Sequence, residues 1–347
     1  MPNYRTEEDA LKYINEQLKL YPELCHASNI KTKLGKTFKS PKKIPALNEL
    51  SKRYAYYLEK QLSLHGWSDE IIEKRVALLN DYYLYHDNCA EYDFNELFTS
   101  QSKLRSTILE EFVYLLFKDF VIHIKTTNRD SEDVIGSGAA KAYTNLFFSP
   151  ANITSFIKQP AIKINVKDQD FVIYRSFDPN EVLAKGTIAI DDGKSKESKS
   201  KIIETSVPPA EVSEEAFDIS SIKKRSKKAE AERLKVPILA VEIKTYLDKT
   251  MLEGVIATAE KLKMGSPYAH SVVVAESYQV SLDVDPAYSQ IDQIYVLRKM
   301  GKMEVTDKNK KPVDAEVVKL FVFDSIKHIE NTWSDVKTKF ETKGIII

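Results

Sequence analysis

The chain has 347 residues, with 51 basic and 51 acidic side chains and a hydrophobic content of 43%. That content suffices for a packed core and excludes a globally disordered chain, and no apolar stretch approaches the roughly 18 to 20 residues of a membrane span. The zero net charge counts against a purely electrostatic binder of nucleic acid, while the length allows two domains or one domain with a large insertion.

The N-terminal segment and the cysteines indicate the cellular compartment. The segment MPNYRTEEDALKYI contains no apolar signal core, so we expect no export. Cys25 and Cys89 do not make a disulfide framework, and no Cys/His spacing resembles a zinc site. The sequence therefore predicts a cytoplasmic protein with reduced thiols and no membrane partner.

Residues 1–100 are predicted to form a mainly helical region. Apolar residues recur three and four positions apart in ALNELSKRYAYYLEKQLSLHGW and in SDEIIEKRVALLNDYYLYH. Ser68 is a plausible N-cap of the second helix. We expect four aromatic residues to pack these helices together, namely Trp67, Tyr82, Tyr83 and Tyr85.

A basic segment lies within this region, because no acidic residue occurs between Leu24 and Asn48. Such a patch suits the phosphate backbone of DNA, and we expect it to form a loop that clamps a duplex. A solvated lysine-rich loop is the alternative interpretation. The six lysines of the segment are Lys31, Lys33, Lys36, Lys39, Lys42 and Lys43.

The next predicted helix, QSKLRSTILEEFVYLLFKDF, carries a carboxylate on its apolar side. Glu111 lies three residues after Ile108 and four before Leu115, so it points toward the buried face of the helix. A glutamate in this position is either a satisfied structural carboxylate or a functional one, and the pattern leaves both open.

The middle of the chain predicts strands and an insertion. AIKINVKDQDFVIYRSF alternates and contains a polar turn at residues 167–169, which indicates a β-hairpin whose outgoing strand begins at Asp170. GTIAID is a further candidate strand before Asp191, and Gly136-Ser137-Gly138 is interpreted as a turn. Residues 193–235 are charged and rich in Ser and Pro, which predicts an exposed, partly disordered insertion.

The stretch VPILAVEIKTYLDKTMLEGVIATAEKLK, residues 236–263, is the most informative part of the sequence. Glu242 and Lys244 share one face of its strand, and charged residues on an apolar strand usually have a partner or a task. A T-x-x-E capping box at Thr250 and Glu253 is expected to begin the following helix. HSVVVAES predicts a second buried strand, so the unit is a parallel βαβ. QIDQIYVLRK and VVKLFVFD predict two more strands, with a closing helix after Ser325.

Three of these residues are expected to converge. Asp170 from the hairpin would meet Glu242 and Lys244 on the neighbouring strand, with Asp168 and Asp191 as alternatives to Asp170. Two adjacent carboxylates repel, and a hard cation such as Mg2+ relieves that repulsion while keeping sites for phosphate oxygens and water. A metal that activates water and a lysine that neutralises developing charge are the equipment for phosphodiester hydrolysis.

The same residues resemble a known family. Asp170, a long gap and then Glu242-Ile243-Lys244 resemble the PD-(D/E)XK nuclease signature, although Gln169 stands where proline is common and the gap is unusually long. The segments STILEEFVYLLF and VPILAVEIKTYLDKTMLEGVIATAEKLK look like those of type II restriction endonucleases that cut interrupted sites of the CCTNAGC kind.

This resemblance implies a fold, an activity and partners. The fold would be α/β, with a mixed central sheet flanked by helices (a restriction-endonuclease-like core) at residues 101–347 after the helical N-terminal region. The activity would be Mg2+-dependent, sequence-specific cleavage of double-stranded DNA in a restriction-modification system with a cognate DNA methyltransferase. Asp170 and Glu242 would be metal ligands, Lys244 the catalytic lysine and Glu111 a supporting acid.

Subunit number follows from the chemistry, because one active site cuts one strand. We therefore expect a homodimer, or a heterodimer with a related subunit. Two other functions remain open at this point. One is a repair or junction nuclease on the same core, and the other is a non-catalytic DNA-binding or scaffold protein.

Overall fold

The computed structural model describes residues 6–98, 104–127, 135–149, 161–177, 233–281, 284, 286–301 and 310–332. Its helices are α1 (Glu7–Leu20), α2 (Cys25–Leu34), α3 (Lys43–Ser63), α4 (Asp69–Asn88), α5 (Phe94–Leu97), α6 (Ser106–Thr127), α7 (Lys249–Gly265) and α8 (Ala315–Thr332), with a short 3-10 helix at Pro286–Tyr288. Its strands are β1 (Ile135–Ser149), β2 (Ala161–Phe177), β3 (Leu234–Lys244), β4 (His270–Ala275) and β5 (Gln293–Val296).

The helical N-terminal region is as the sequence predicts. Its helices pack through buried aromatic side chains, with the ring of Tyr57 stacked on that of Tyr82 at a centroid distance of 4.8 Å. Trp67 packs edge-on against Phe120 of α6, at 5.5 Å. Ser68 does precede α4, but its side chain makes no capping hydrogen bond.

The sheet has the order β1-β2-β3-β4-β5, antiparallel between β1, β2 and β3 and parallel between β3, β4 and β5. The predicted α/β fold with a mixed sheet and the predicted parallel unit β3–α7–β4 are therefore confirmed. Every residue of β4 is buried, as expected of a strand covered by helices on both faces.

Two layers of helices cover the sheet. On one face, Phe117 of α6 contacts both Phe171 of β2, at 5.6 Å between ring centroids, and Phe321 of α8, at 5.3 Å. These rings belong to a cluster of buried side chains that continues into α1, α2, α3 and α4. On the other face, Leu262 of α7 packs with Ala240 of β3. The candidate site lies on this second face.

One predicted hairpin is wrong. Residues 161–177 form a single strand, β2, which pairs with β1 on both sides of the predicted turn. β2 pairs with β3 only from Phe171 onward. Residues 164–168, which precede this pairing, are exposed on a two-stranded ribbon, whereas Gln169 is buried. The polar character of residues 167 and 168 therefore reflects solvent exposure rather than a turn.

The predicted turn at Gly136-Ser137-Gly138 is also wrong, because these residues lie in β1. A Cβ on Gly136 would come within 2.5 Å of the Tyr174 ring. Gly138 has a φ of 127° at an irregularity in the pairing with β2. The glycines therefore permit a close approach and a β-bulge.

The predicted strand VVKLFVFD is helical, and α8 begins at Ala315 rather than after Ser325. Val318, Phe321 and Val322 are buried while Leu320 is exposed, which is the spacing of a helix face. A short, almost continuous apolar run does not distinguish a buried strand from a helix. In the structure this segment packs as a helix against α4 and the sheet.

Two boundaries differ from the prediction. α7 is capped by Asp248, whose side chain accepts the N–H of Met251 at 2.8 Å, and Thr250 lies within the first turn. β3 begins at Leu234, inside the predicted insertion. Residues 193–232 of that insertion and the candidate strand GTIAID lie outside the described residues. Among the helices that the structure describes, none combines the length and apolar character needed to cross a membrane.

Candidate active site

Adjacent strands bring the predicted acids and the lysine together. β2 and β3 pair with Phe171 opposite Val241. Asp170 therefore lies on the same face as Glu242 and Lys244, next to the end of β3. Lys244 Nζ donates to Oδ2 of Asp170 and to Oε2 of Glu242, each at 2.9 Å. The two carboxyl groups thus lie on either side of one ammonium group.

A second contact fixes Asp170 in place. Its Oδ2 also accepts the backbone N–H of Ile243, at 2.8 Å. The carboxylate thus binds the end of β3 where backbone pairing with β2 has stopped. Both hydrogen-bond donors to Asp170 belong to residues of β3, so the sheet rather than a loop holds this arrangement.

The electrostatics keep Lys244 charged. Partial burial opposes the charge, but the neighbouring carboxylates of Asp170 and Glu242 outweigh it and raise the pKa of Lys244 above its usual value. Lys244 is therefore an ammonium ion at neutral pH. It can donate hydrogen bonds and neutralise negative charge, but it cannot accept a proton.

The oxygen atoms of this site fit a hard divalent cation. Within the described part of the chain, Oδ1 of Asp170 and Oε1 of Glu242 have no hydrogen-bond partner, and both side chains are partly exposed. Mg2+ commonly binds one or two protein carboxylates and retains water for the rest of its shell. No group of three or more His, Cys, Asp or Glu side chains suited to a metal occurs among the described residues. The donor set is thus that of an open site.

The alternatives to Asp170 are not brought to this point. Asp168 is exposed on the ribbon, and among the described residues no contact joins it to Glu242 or Lys244. Asp191 lies outside the described residues.

Glu111 lies on the other side of the sheet. α6 packs on the face that carries Phe171, whereas Asp170 and Glu242 lie on the face of α7. The carboxylate of Glu111 instead accepts the N–H groups of His26 and Ala27, at 2.9 and 3.1 Å, and the hydroxyl of Tyr54, at 2.7 Å. Any support that Glu111 lends to catalysis passes through the fold, not through contact with the site.

The six lysines of the basic segment do not form one loop. Lys31 and Lys33 belong to α2, Lys43 is the first residue of α3, and the others lie between the two helices. Lys33 is buried, at 6% exposure, and burial lowers its pKa. The fully exposed members are Lys31, Lys36, Lys39 and Lys42.

A charged cluster that the sequence pattern did not predict lies beside the site. Glu276 directly follows β4, and its N–H donates to the backbone oxygen of Lys244 at 3.1 Å. Its side chain accepts hydrogen bonds from Tyr83, Arg105 and Arg298. The available signal was a charged residue at the end of a buried strand, which is the same signal that singled out Glu242.

Comparisons with known proteins identify the family of the chain and a similar fold. The model of the Bpu10I restriction endonuclease family matches residues 101–180 and 210–316, which is more than half of the chain and includes Asp170, Glu242 and Lys244. Among solved structures, a chain of the native BbvCI A2B2 tetramer at low resolution is similar, with a TM-score of 0.56 and 18% identity over 91% of this chain and 98% of that chain. At this identity the likeness concerns the fold. No curated protein sequence matches the chain.

Proposed function

Because the chain belongs to the Bpu10I restriction endonuclease family, whose members are type II restriction endonucleases, we propose that it cleaves both strands of specific DNA in a Mg2+-dependent reaction. The observation that supports this most is the pair of carboxyl groups around Lys244 at the end of β3. This placement offers oxygen ligands and a fixed positive charge at one edge of a rigid sheet.

Asp170 and Glu242 are proposed to hold the metal through their carboxylate oxygens. When bound, Mg2+ would supply Lewis acidity toward a phosphate oxygen and lower the pKa of water. Lys244 donates hydrogen bonds to the phosphate and stabilises the negative charge that develops in the transition state. Because its pKa is raised, Lys244 is not the general base.

The DNA-binding part of the proposal rests on charge. The exposed lysines of the basic segment would contact the phosphate backbone, which positions a duplex without reading its sequence. An interrupted target of the CCTNAGC kind is included because of the likeness of residues 236–263 to enzymes that cut such sites. A cognate methyltransferase would protect the same target in the cytoplasm of the host.

Assembly is the last part of the proposal. The described part of the chain carries one candidate site, so cutting a duplex needs a second copy or a related subunit. The similar BbvCI structure is an A2B2 tetramer, which favours an assembly of more than one chain here as well.

The test is a digest of long plasmid or phage DNA by the purified full-length chain, with Mg2+ and with a chelator. We expect discrete bands with Mg2+ only, and Lys244→Ala should cut more slowly by about 10²-fold or more, the scale of losing a charge-stabilising donor. The matched control is Lys263→Ala, which removes another lysine paired with a carboxylate, that of Asp292, and should cut normally.

Two results would contradict the proposal. Wild-type chain that cuts nothing with any divalent ion would favour a binding or scaffold protein. Structure-selective nicking without bands would favour a repair or junction nuclease. Sequencing the fragment ends defines the target and the cut position.

A further inference from the structure

A cavity of about 220 Å³ lies at the carboxyl ends of the three parallel strands. Thr245 and Tyr246, which follow β3, line it together with Glu276 and Ser277, which follow β4, and Arg298, which follows β5. The cavity therefore begins one residue beyond Lys244. Ligands of open α/β sheets commonly bind outside these strand ends.

The walls of this strand-end cavity are rigid, because backbone pairing continues past the strands. Leu247 donates its N–H to the oxygen of Ser277 at 2.9 Å, and Gln279 donates to Leu247 at 2.8 Å. Tyr278 donates to the oxygen of Met300 at 2.9 Å. A ligand here would meet a preformed surface.

The charge of the cavity is positive. Its cationic lining residues are Arg105, Arg298 and Lys310. Among the described lining residues the only carboxylate is Glu276, which already accepts four hydrogen bonds, from Tyr83 and from both arginines. Asp87, outside this lining, pairs with Arg105 and Lys310. Among the described residues, three cationic side chains thus stand against two carboxylates.

Arg298 adds an unmet hydrogen-bond requirement. It is 5% exposed, and its Nη2 has no hydrogen-bond partner within the described ranges. A buried donor without an acceptor costs roughly 1 to 3 kcal/mol. Arg298 also lines the cavity, so an anion that reached this donor would supply the acceptor that the protein lacks.

We propose that the strand-end cavity holds a backbone phosphate of the DNA strand that is cut, one or two positions from the cleaved bond. The proposal rests on the proposed function, which places the cleaved phosphate at Lys244. Thr245 and Tyr246 directly follow Lys244, and two residues span at most about 7 Å. Phosphates of one strand follow every 3.4 Å or so along the helix axis. Arg298 and Lys310 would thus fix the register of the strand on the active site.

The test couples a protein change to a single phosphate. Lys310→Ala is suitable because its side chain is 26% exposed, so its removal leaves no buried cavity. Binding of a duplex is measured with Ca2+ in place of Mg2+, with the duplex verified as intact, while single phosphates are replaced in turn by neutral methylphosphonates. The matched control is Lys299→Ala, because Lys299 is 59% exposed, pairs with Asp314 and is not one of the residues that line the cavity.

We expect Lys310→Ala and one particular methylphosphonate each to weaken binding several-fold, and their combination to weaken it no further. The slope of log affinity against log salt should fall by about 1 for Lys310→Ala and stay unchanged for Lys299→Ala.

Lack of coupling at every phosphate overturns the proposal, and so does an equal effect of Lys299→Ala. The binding scan uses a duplex that the chain binds in one register, verified by footprinting, so its readout does not depend on cleavage. Failure to cleave DNA would count against the proposed function alone.

Discussion

At the scale of single residues, burial separates two glutamates that both stand next to apolar residues in the sequence. Glu242 is partly exposed and shares Lys244 with Asp170. Glu111 is 1% exposed and has hydrogen-bond donors but no cation, so burial raises its pKa to about 7. A carboxyl group with that pKa is partly protonated at neutral pH and is poorly suited to bind a metal, whereas it does anchor the first turn of α2.

We predict a pH-dependent contribution of Glu111 to stability. In the unfolded chain the Glu111 carboxyl group loses its proton near pH 4.5, and in the folded chain near pH 7. The free energy of unfolding therefore falls by roughly 3 kcal/mol as the pH rises through this window. Glu111→Gln removes that loss. Urea unfolding between pH 4.5 and 8 measures it, with the exposed Glu253→Gln as control.

If the free energy of unfolding changes with pH in the same way for wild type and Glu111→Gln, burial does not raise the pKa of Glu111. Cleavage measured per folded molecule of the same variant answers the separate question of whether Glu111 supports catalysis as well as folding.

At the scale of elements, the basic segment is organised by the ends of α2 and α3. Lys43 lies over the rings of Phe38 and Phe98, at 5.4 and 5.6 Å from their centroids, and Lys33 is buried. These two lysines therefore serve packing. The four exposed lysines are therefore the candidates for contact with DNA. Glu111 holds the first turn of α2, the helix that carries Lys31.

We predict that replacing Lys36, Lys39 and Lys42 together by alanine weakens DNA binding and flattens its salt dependence. Each lost phosphate contact lowers the slope of log affinity against log salt by about 0.9, so the triple variant should lose about 2 to 3. Lys33→Met is the control, because the buried lysine should change stability but not the slope. An unchanged slope in the triple variant would exclude the clamp.

At the scale of the whole molecule, Glu276 joins the helical region to the edge of the sheet that carries the candidate active site. Tyr83 of α4 and Arg105, just before α6, reach the same carboxylate as Arg298 after β5. Burial opposes ionisation, but the two arginines outweigh it and lower the pKa of Glu276. The side chain of Glu276 is thus ionised. The backbone N–H of the same residue donates to the backbone oxygen of Lys244 at the end of β3.

We predict that Glu276→Gln destabilises the fold by about 3 to 5 kcal/mol, because the buried Arg298 would lose the carboxylate that it pairs with and Arg105 would keep only Asp87. Urea or thermal unfolding near neutral pH measures the change. Asp314→Asn, which removes the partner of the exposed Lys299, should cost at most about 1 kcal/mol. If both variants unfold alike, the cluster does not hold the two regions together.

Local pattern was enough for much of the fold and part of the site. The helices of the first hundred residues, the unit β3–α7–β4 and the shared face of Glu242 and Lys244 follow from periodicities of 3.6 and 2. Those periodicities depend only on neighbours along the chain, so they can be recognised without knowing which segments pack against each helix or strand.

What only the tertiary structure decided involves contacts between distant segments. The single strand at residues 161–177 depends on β1, the helix at 315–332 depends on its packing against α4 and the sheet, and Asp170 is distinguished from Asp168 by the end of β3. The buried environment of Glu111 and the arginines around Glu276 likewise come from segments far apart in sequence. The composition of a segment does not encode which remote surface will cover it, because burial and charge compensation are properties of the assembled chain.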